Sequence, residues 1–196
     1  MKIKGTLGFG AILLLIMMIS CGSDETAYPR PRGFYRIDFP EKKYERTSEA
    51  LPFSFERPIY SNLQGTQTDG AQFQTNVQFG WYNATLYCSY KQDTSLVEHV
   101  SFAKKMAYEH QRVARSIEEV PFLNKEENVY GLMYAIDGDQ VASNYSFYLM
   151  DSVDRFFRGS FYFNETPNAD SLQPVLDFLK EDLDHIIQSF RWEAEN

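Results

Sequence analysis

Cysteine is nearly absent from this chain. Cys21 and Cys88 are its two cysteines in 196 residues, so no disulfide framework can carry the fold. Histidine is also scarce, with His99, His110 and His185 as the three. No H-E-x-x-H occurs, and His99 and His110 stand eleven residues apart, whereas two metal ligands on one helix need a spacing of three or four. No glycine-rich phosphate cradle occurs, and Arg158-Gly159-Ser160-Phe161 lacks the second glycine of a nucleophile elbow. Basic residues are outnumbered, 19 Lys and Arg against 27 Asp and Glu, giving a net charge of −8. That balance argues against a nucleic-acid partner. Long apolar runs are lacking too. The longest is Leu7 to Ile19, too short to span a hydrocarbon core of about 30 Å comfortably.

What precedes and follows that run is informative. Met1-Lys2-Ile3-Lys4 is basic, and Met18-Ile19-Ser20-Cys21 is followed by the polar Gly22-Ser23-Asp24-Glu25. A basic start, a short apolar stretch and small residues at a break form a secretory signal. The cysteine at the break resembles a bacterial lipobox, so residues 1–20 read as a lipoprotein signal peptide and Cys21 as an acylated N-terminus. An uncleaved membrane anchor is the rival reading. Removal of residues 1–20 takes away Lys2 and Lys4 and no acid, so the remaining 196 − 20 = 176 residues carry −8 − 2 = −10. An acidic domain is repelled by anionic lipid, which makes a covalent anchor useful; acyl chains contribute about 0.8 kcal/mol per buried CH₂.

Residues 21–33 read as the lipidated start and a Pro-rich tether, because Tyr28-Pro29-Arg30-Pro31-Arg32-Gly33 favours an extended path. Residues 34–192 read as one domain and 193–196 as a tail. The 16 Phe and 13 Tyr favour a sheet-rich core. Strands are expected at Pro52–Glu56, Asn76–Phe79, Ala84–Lys91, Ile117–Phe122, Val129–Ile136, Val141–Met150 and Arg155–Phe163. Asn62 to Thr75 reads as a polar loop. A helix is expected from Asp93 to Ser116, with a capping box at Ser95-Leu96-Val97-Glu98 and an apolar stripe through Leu96, Val100, Ala103 and Ala107 that also carries His110. A second helix is capped at Ser171 and runs to about Phe190. Its buried stripe holds Leu172, Leu176, Leu179, Leu183, Ile186, Ile187 and Phe190, with Asp177, Glu181, Asp182 and Asp184 on the wet side. The fold class is α+β, a mostly antiparallel sheet with two amphipathic helices packed on it. The element order resembles the Mog1/PsbP-like arrangement.

Catalytic candidates are few. Asp137-Gly138-Asp139 supplies two carboxylates, but a hairpin turn uses the same residues for backbone reasons. Cys88, in a strand-like run, reads as a buried small hydrophobe. Asp151-Ser152-Val153 is similar to an Asp-Ser-apolar O-glycosylation pattern of Bacteroidetes envelope proteins, which makes Ser152 a modification candidate. The stretch beginning at Phe34 is basic and aromatic inside an acidic protein. It reads either as a belt packed on the domain edge or as a docking strip of Arg30, Arg32, Tyr35, Arg36 and Phe39.

Several runs carry a family resemblance. They are Pro29-Arg30-Pro31-Arg32-Gly33-Phe34-Tyr35-Arg36-Ile37-Asp38-Phe39-Pro40, Val129-Tyr130-Gly131, Phe157-Arg158-Gly159-Ser160-Phe161-Tyr162-Phe163-Asn164, Pro167-Asn168-Ala169-Asp170-Ser171-Leu172-Gln173-Pro174-Val175 and Ser189-Phe190-Arg191-Trp192. In this order the chain resembles the gliding motility lipoprotein GldD family of Bacteroidetes. The resemblance implies a lipid-anchored envelope protein needed for gliding, with partners in the gliding and type IX secretion machinery and without catalytic residues, cofactor or metal. It implies a periplasm-facing or surface position and leaves the membrane leaflet open. An envelope enzyme using Asp137 and Asp139, and a carrier of an apolar ligand, are the competing expectations.

Overall fold

The computed structural model describes residues 36–47, 51–67, 72–141, 143–165 and 169–193. The signal peptide, Cys21, the tether, Arg30, Arg32 and Tyr35 lie outside them, as do residues 194–196. Among the described residues eleven strands and two α-helices follow in the order β1 (Tyr44–Arg46), β2 (Phe53–Ser54), β3 (Glu56–Pro58), β4 (Asn62–Gln67), β5 (Phe73–Phe79), β6 (Ala84–Gln92), α1 (Leu96–Tyr108), β7 (Ser116–Asn124), β8 (Val129–Asp137), β9 (Tyr145–Met150), β10 (Arg155–Phe163), α2 (Ala169–Gln188) and β11 (Arg191–Trp192).

Seven strands form one sheet in the order β4-β5-β6-β10-β9-β8-β7, and every neighbouring pair in it is antiparallel. Two hairpin series thus meet where β6 pairs with β10. Small two-strand ladders, β1 with β3 and β2 with β11, sit apart from this sheet. The α+β expectation holds.

Side-chain alternation sorts the sheet into two faces. One face presents Leu86, Phe147, Leu149, Phe157 and Phe161, which pack with Phe53 and Phe55 and with Leu179, Leu183, Ile186, Ile187 and Phe190 of α2 and its end. The rings pack tilted or nearly parallel; Phe157 lies 4.7 Å from Phe53 and 4.9 Å from Phe190, an arrangement suited to their quadrupoles. The other face presents Tyr134, Ile136, Tyr148 and Phe156 to Ala103 and Ala107 of α1. Each helix therefore covers its own face, and α1 covers only the part over β8, β9 and β10.

Six expectations are corrected. Asn62 to Thr75 is not a loop, for β4 pairs with β5 from Asn62↔Gln78 to Gln67↔Phe73. It is an edge strand whose polar Asn62 and Gln64 alternate with a single Leu63, so no apolar period marks it. The first helix is shorter than expected, ending at Tyr108 and continuing as a 3-10 turn over Glu109–Arg112. Ser95 makes no side-chain cap; instead its own N–H donates to Asp93 Oδ1 at 2.7 Å. The expected strand from Val141 begins only at Tyr145, because Asn144 is bonded to Ile136 at the hairpin end. The second helix starts at Ala169, so Ser171 falls in its first turn. Pro58, expected beyond a strand, closes β3 opposite Tyr44, an end position that proline tolerates.

Gly131 and Gly80 differ sharply in what surrounds them. A Cβ on Gly131 would overlap the Tyr148 carbonyl oxygen of the neighbouring strand, whereas at Gly80 nothing lies within 4 Å. Gly131→Ala is expected to cost at least about 1–3 kcal/mol, and Gly80→Ala to stay within about 0.5 kcal/mol of wild type. Urea denaturation of the two variants, compared at their midpoints, checks this.

Candidate functional site: a docking surface at the start of the domain

Phe178, Asp182, His185 and Ser189 follow one another along α2 at steps of four, three and four, and so share a stripe. That stripe receives residues 39–60. Phe39 stacks on Phe178, with ring centres 4.3 Å apart and planes at 15°. Lys42 donates to the Phe178 carbonyl at 2.6 Å and pairs with Asp182 at 2.8 Å. Tyr44 donates to Asp182 Oδ1 at 2.9 Å and lays its ring 3.7 Å from that of His185. Tyr60 donates to Asp182 Oδ2. Further along, His185 pairs with Glu56 at 2.8 Å, and Arg46 reaches Glu56, Ser54 and the Ser189 carbonyl.

Asp182 was expected on the wet side of the helix, and that is corrected here: it is 0% exposed. Its position fits the apolar stripe, three residues after Leu179 and four before Ile186. A buried carboxylate needs donors, and one ammonium and two phenols supply them. Burial, and then the bond to Asp182, push the Tyr44 and Tyr60 hydroxyls well above their ordinary range. Both therefore stay protonated donors. Asp184, also expected to be wet, is half-buried and accepts from Tyr145 Oη.

This bracing sets up an apolar surface. Phe39 also lies 6.1 Å from Tyr82, and Tyr82 lies 6.2 Å from Tyr60. Phe39 is itself 37% exposed, and beside these rings in the sequence Ile37 is 37% exposed, Ile59 53% and Trp81 85%. Trp81 stands on a 3-10 turn, Gly80–Tyr82, closed by Asn83 at φ 47°. Single exposed apolar residues are ordinary; an aromatic cluster of this kind is typical of a binding surface. Of the expected docking strip, Phe39 belongs to this surface. Arg36 is exposed and pairs with Asp38 at 3.2 Å. Trp81, Ile59 and Phe178 were not singled out in the sequence. The connection Gly80-Trp81-Tyr82-Asn83 reads there only as a turn, and its proximity to Phe39 comes from tertiary contact.

The other candidates lie elsewhere. Asp137 accepts two bonds from Arg115, both at 3.0 Å, and Asp139 sits 3.4 Å from the same guanidinium. Arg115 holds the Asp137 carboxyl below its ordinary range. The hairpin borders a cavity of about 260 Å³ lined by Ile136, Val141, Leu172, Leu176 and Lys180 among others. His99 is bonded to Asp93 at 2.9 Å. Burial lowers the affinity of His110 for a proton. Cys88 is buried, which raises its thiol far above the ordinary range. Ser152 is exposed at φ 68°, in a turn whose amides donate to Asp151 Oδ1. Among the described residues no three metal-ligating side chains cluster, and no helix is long and apolar enough to cross a membrane.

A family model described as gliding motility lipoprotein GldD matches residues 24–192. No curated protein matches the chain. Among solved structures, that of cyanobacterial PsbP (CyanoP) from Synechocystis sp. PCC 6803 is similar at 12% identity and a TM-score of 0.44, covering 81% of this chain and 97% of that one.

Breaking the Asp182 centre is expected to loosen the segment it holds. Asp182→Ala, which leaves Lys42 without its counter-ion, should cost about 3–5 kcal/mol and speed amide exchange at Tyr44–Arg46 relative to β10. Acid should also weaken the fold. The His185 bond holds Glu56 below its ordinary 4.5, so its contribution is present above that value and is lost as pH falls through the lowered one. The folded state likewise resists protonation of His110 below its ordinary 6.5. The denaturation midpoint should therefore drop from pH 7 toward pH 4, and His110→Gln should flatten the limb just below pH 6.5.

Proposed function

The chain belongs to the gliding motility lipoprotein GldD family, and we propose that it serves there as a non-enzymatic binding or assembly factor of the gliding and type IX secretion machinery. Family membership makes it a membrane-anchored protein of the cell envelope. The finer reading places the acyl chains on Cys21 and the domain on the periplasmic side, docking a protein partner through the surface of Ile37, Phe39, Ile59 and Trp81. The observation that carries it is Trp81, a large amphipathic ring left 85% exposed beside a braced aromatic stack. Tryptophan is the residue type most enriched at the energetic centres of interfaces. The titratable pairs also support a binding role. Asp137 with Arg115, Glu56 with His185 and Asp93 with His99 each join elements of the fold.

A second reading has its own observation. The cavity of about 260 Å³ between α2 and the β8–β9 hairpin has an apolar floor of Leu172, Leu176, Ile136 and Val141. It is close to the lower limit for a small-molecule site and supports the carrier of an apolar ligand. Mass spectrometry of gently purified protein with a bound lipid would favour it.

The docking surface is tested by placing a photo-crosslinking amino acid at Trp81 in intact cells and identifying what it captures. Gliding or type IX secretion components are expected. The Ile59→Ser, Trp81→Ser double variant should remain folded and in the membrane fraction yet lose gliding. Full gliding by that variant would refute the assignment.

A further inference from the structure

Beyond the coverage of α1, which ends over β10, the face of the sheet opposite α2 is open over β5 and β6. Register places its side chains in rows. Gln74, Ser89 and Arg158 are cross-strand neighbours, and the next row is Asn76, Tyr87 and Ser160. Together with Tyr162 they line a groove of about 430 Å³. Tyr87 is 47% exposed and meets Tyr162 edge to face at 5.9 Å. The positions on this face from Gln74 to Gln78, Thr85 to Lys91 and Arg158 to Tyr162 hold no carboxylate, in a chain with 27 of them.

Arg158 is the anomaly. It is half-buried, yet no carboxylate of the described residues lies within 4 Å. The other two half-buried arginines, Arg57 and Arg155, each have one. Its guanidinium donates once, to Ser160 Oγ at 3.3 Å, and rests 5.3 Å from the Phe102 ring of α1. A partly desolvated cation without a counter-ion is costly to the fold, and burial indeed opposes its charge. A second orphan adjoins it. Tyr134 Oη is buried without a hydrogen-bond partner and lines a small recess under α1 that shares Arg158, Ser160 and Tyr162 with the groove. Unsatisfied polar groups of this kind gather where a ligand completes them.

We propose that this groove binds a carboxylate-bearing saccharide. The guanidinium fork takes a planar carboxylate in two parallel bonds. The Tyr87 ring offers an apolar face to a sugar ring, and the amides of Gln74 and Asn76 both donate and accept, as hydroxyl recognition requires. Arg158 is the one cation in the groove's lining, with Lys91 on the same face one row further on, and a single lining arginine without a helix N-terminus suits a monoanion better than a phosphate. An extended peptide is disfavoured, because β5, β6 and β10 have partners on both sides and no free main-chain groups to pair with it.

The full-length lipidated protein in detergent is titrated by calorimetry with a panel of uronic-acid trisaccharides (galacturonate, glucuronate and mannuronate), with maltotriose and tri-glutamate alongside. At least one uronate should bind, tenfold or more tighter than maltotriose and tri-glutamate. Arg158→Gln should weaken that binding at least tenfold, Arg158→Lys should not restore it, and Tyr87→Ala, at an exposed position, should weaken it severalfold with the denaturation midpoint unchanged. No binding by any uronate, equal binding of tri-glutamate, or unchanged affinity in Tyr87→Ala and a folded Arg158→Gln would overturn the assignment. The docking surface around Trp81 is not involved in any of these outcomes.

Discussion

A single buried carboxylate organises the start of this domain. Asp182 lies on the inner side of α2, and charge there is tolerable only with close donors. Lys42, Tyr44 and Tyr60 provide them from three points along a segment that also meets the helix through the Phe39–Phe178 stack and the Glu56–His185 pair. Breaking such a centre costs far more than forming it contributes, so the arrangement fixes position more than it adds stability. Strand pairing within the segment adds less. Its strands β1 and β3 are three residues each and pair only with one another, and a two-strand ribbon alone is marginal in water. The exposed rings beside it inherit that rigidity. Phe39 and Tyr82 hold their places because Phe178 and the Asp182 donors hold theirs, and a preorganised aromatic surface loses less entropy on binding than a mobile one.

The sheet explains the other asymmetry. α2 faces a nearly continuous layer of phenylalanine and leucine, with four aliphatic residues in its last three turns fully buried and Phe190 buried just past its end. α1 is shorter and contributes two buried alanines, so it can seat closely only over β8 to β10, where Tyr148, Tyr134 and Phe156 supply the bulk. The strands β5 and β6 carry amides, hydroxyls and Tyr87 on that side. These polar side chains need no cover, and leaving them open is consistent with their chemistry. An uncovered antiparallel face is ordinary; an arginine half-sunk at its border without a counter-ion is not.

Much of this was legible in sequence. The β8–β9–β10 meander is marked by strong turn residues at Asp137-Gly138-Asp139 and at Asp151 to Asp154, with alternating aromatic strands between them. The second helix is marked by a clear three-and-four spacing of leucine and isoleucine. What was not legible has specific causes. β4 is built, apart from Leu63, of asparagine, glutamine, glycine and threonine, and only its pairing with β5 makes it a strand. The Ser95 capping box failed because Asp93, two residues earlier, offers its carboxylate both to the Ser95 N–H and to His99. Asp182 has the spacing of a core position, but residue type alone assigns it to water, and only its three donors, distant in sequence, reverse that. Trp81 sits in a plain turn, and Phe39 and Tyr60, which meet the adjacent Tyr82, arrive from separate parts of the chain.

Charge decides what each surface can meet. A domain carrying a net −8 within the full chain is repelled by anionic lipid and by acidic polymers at long range, within about a Debye length of 8–10 Å. Contact near an anchoring membrane therefore suits neutral or locally basic groups, and the residues that first enter the described domain are of this kind. Arg36, Lys42 and Lys43 accompany Ile37 and Phe39, and each of the three cations has its acid close by, in Asp38, Asp182 and Glu41. The stretch is thus nearly neutral in sum and aromatic in character, which favours partners recognised by shape and apolar area over partners recognised by charge. Arg158 stands in the opposite condition, a cation in a groove whose lining holds no acid. The two proposed surfaces of one acidic domain thus call for different chemistry in what they meet: apolar area around Trp81, and a carboxylate for the guanidinium of Arg158.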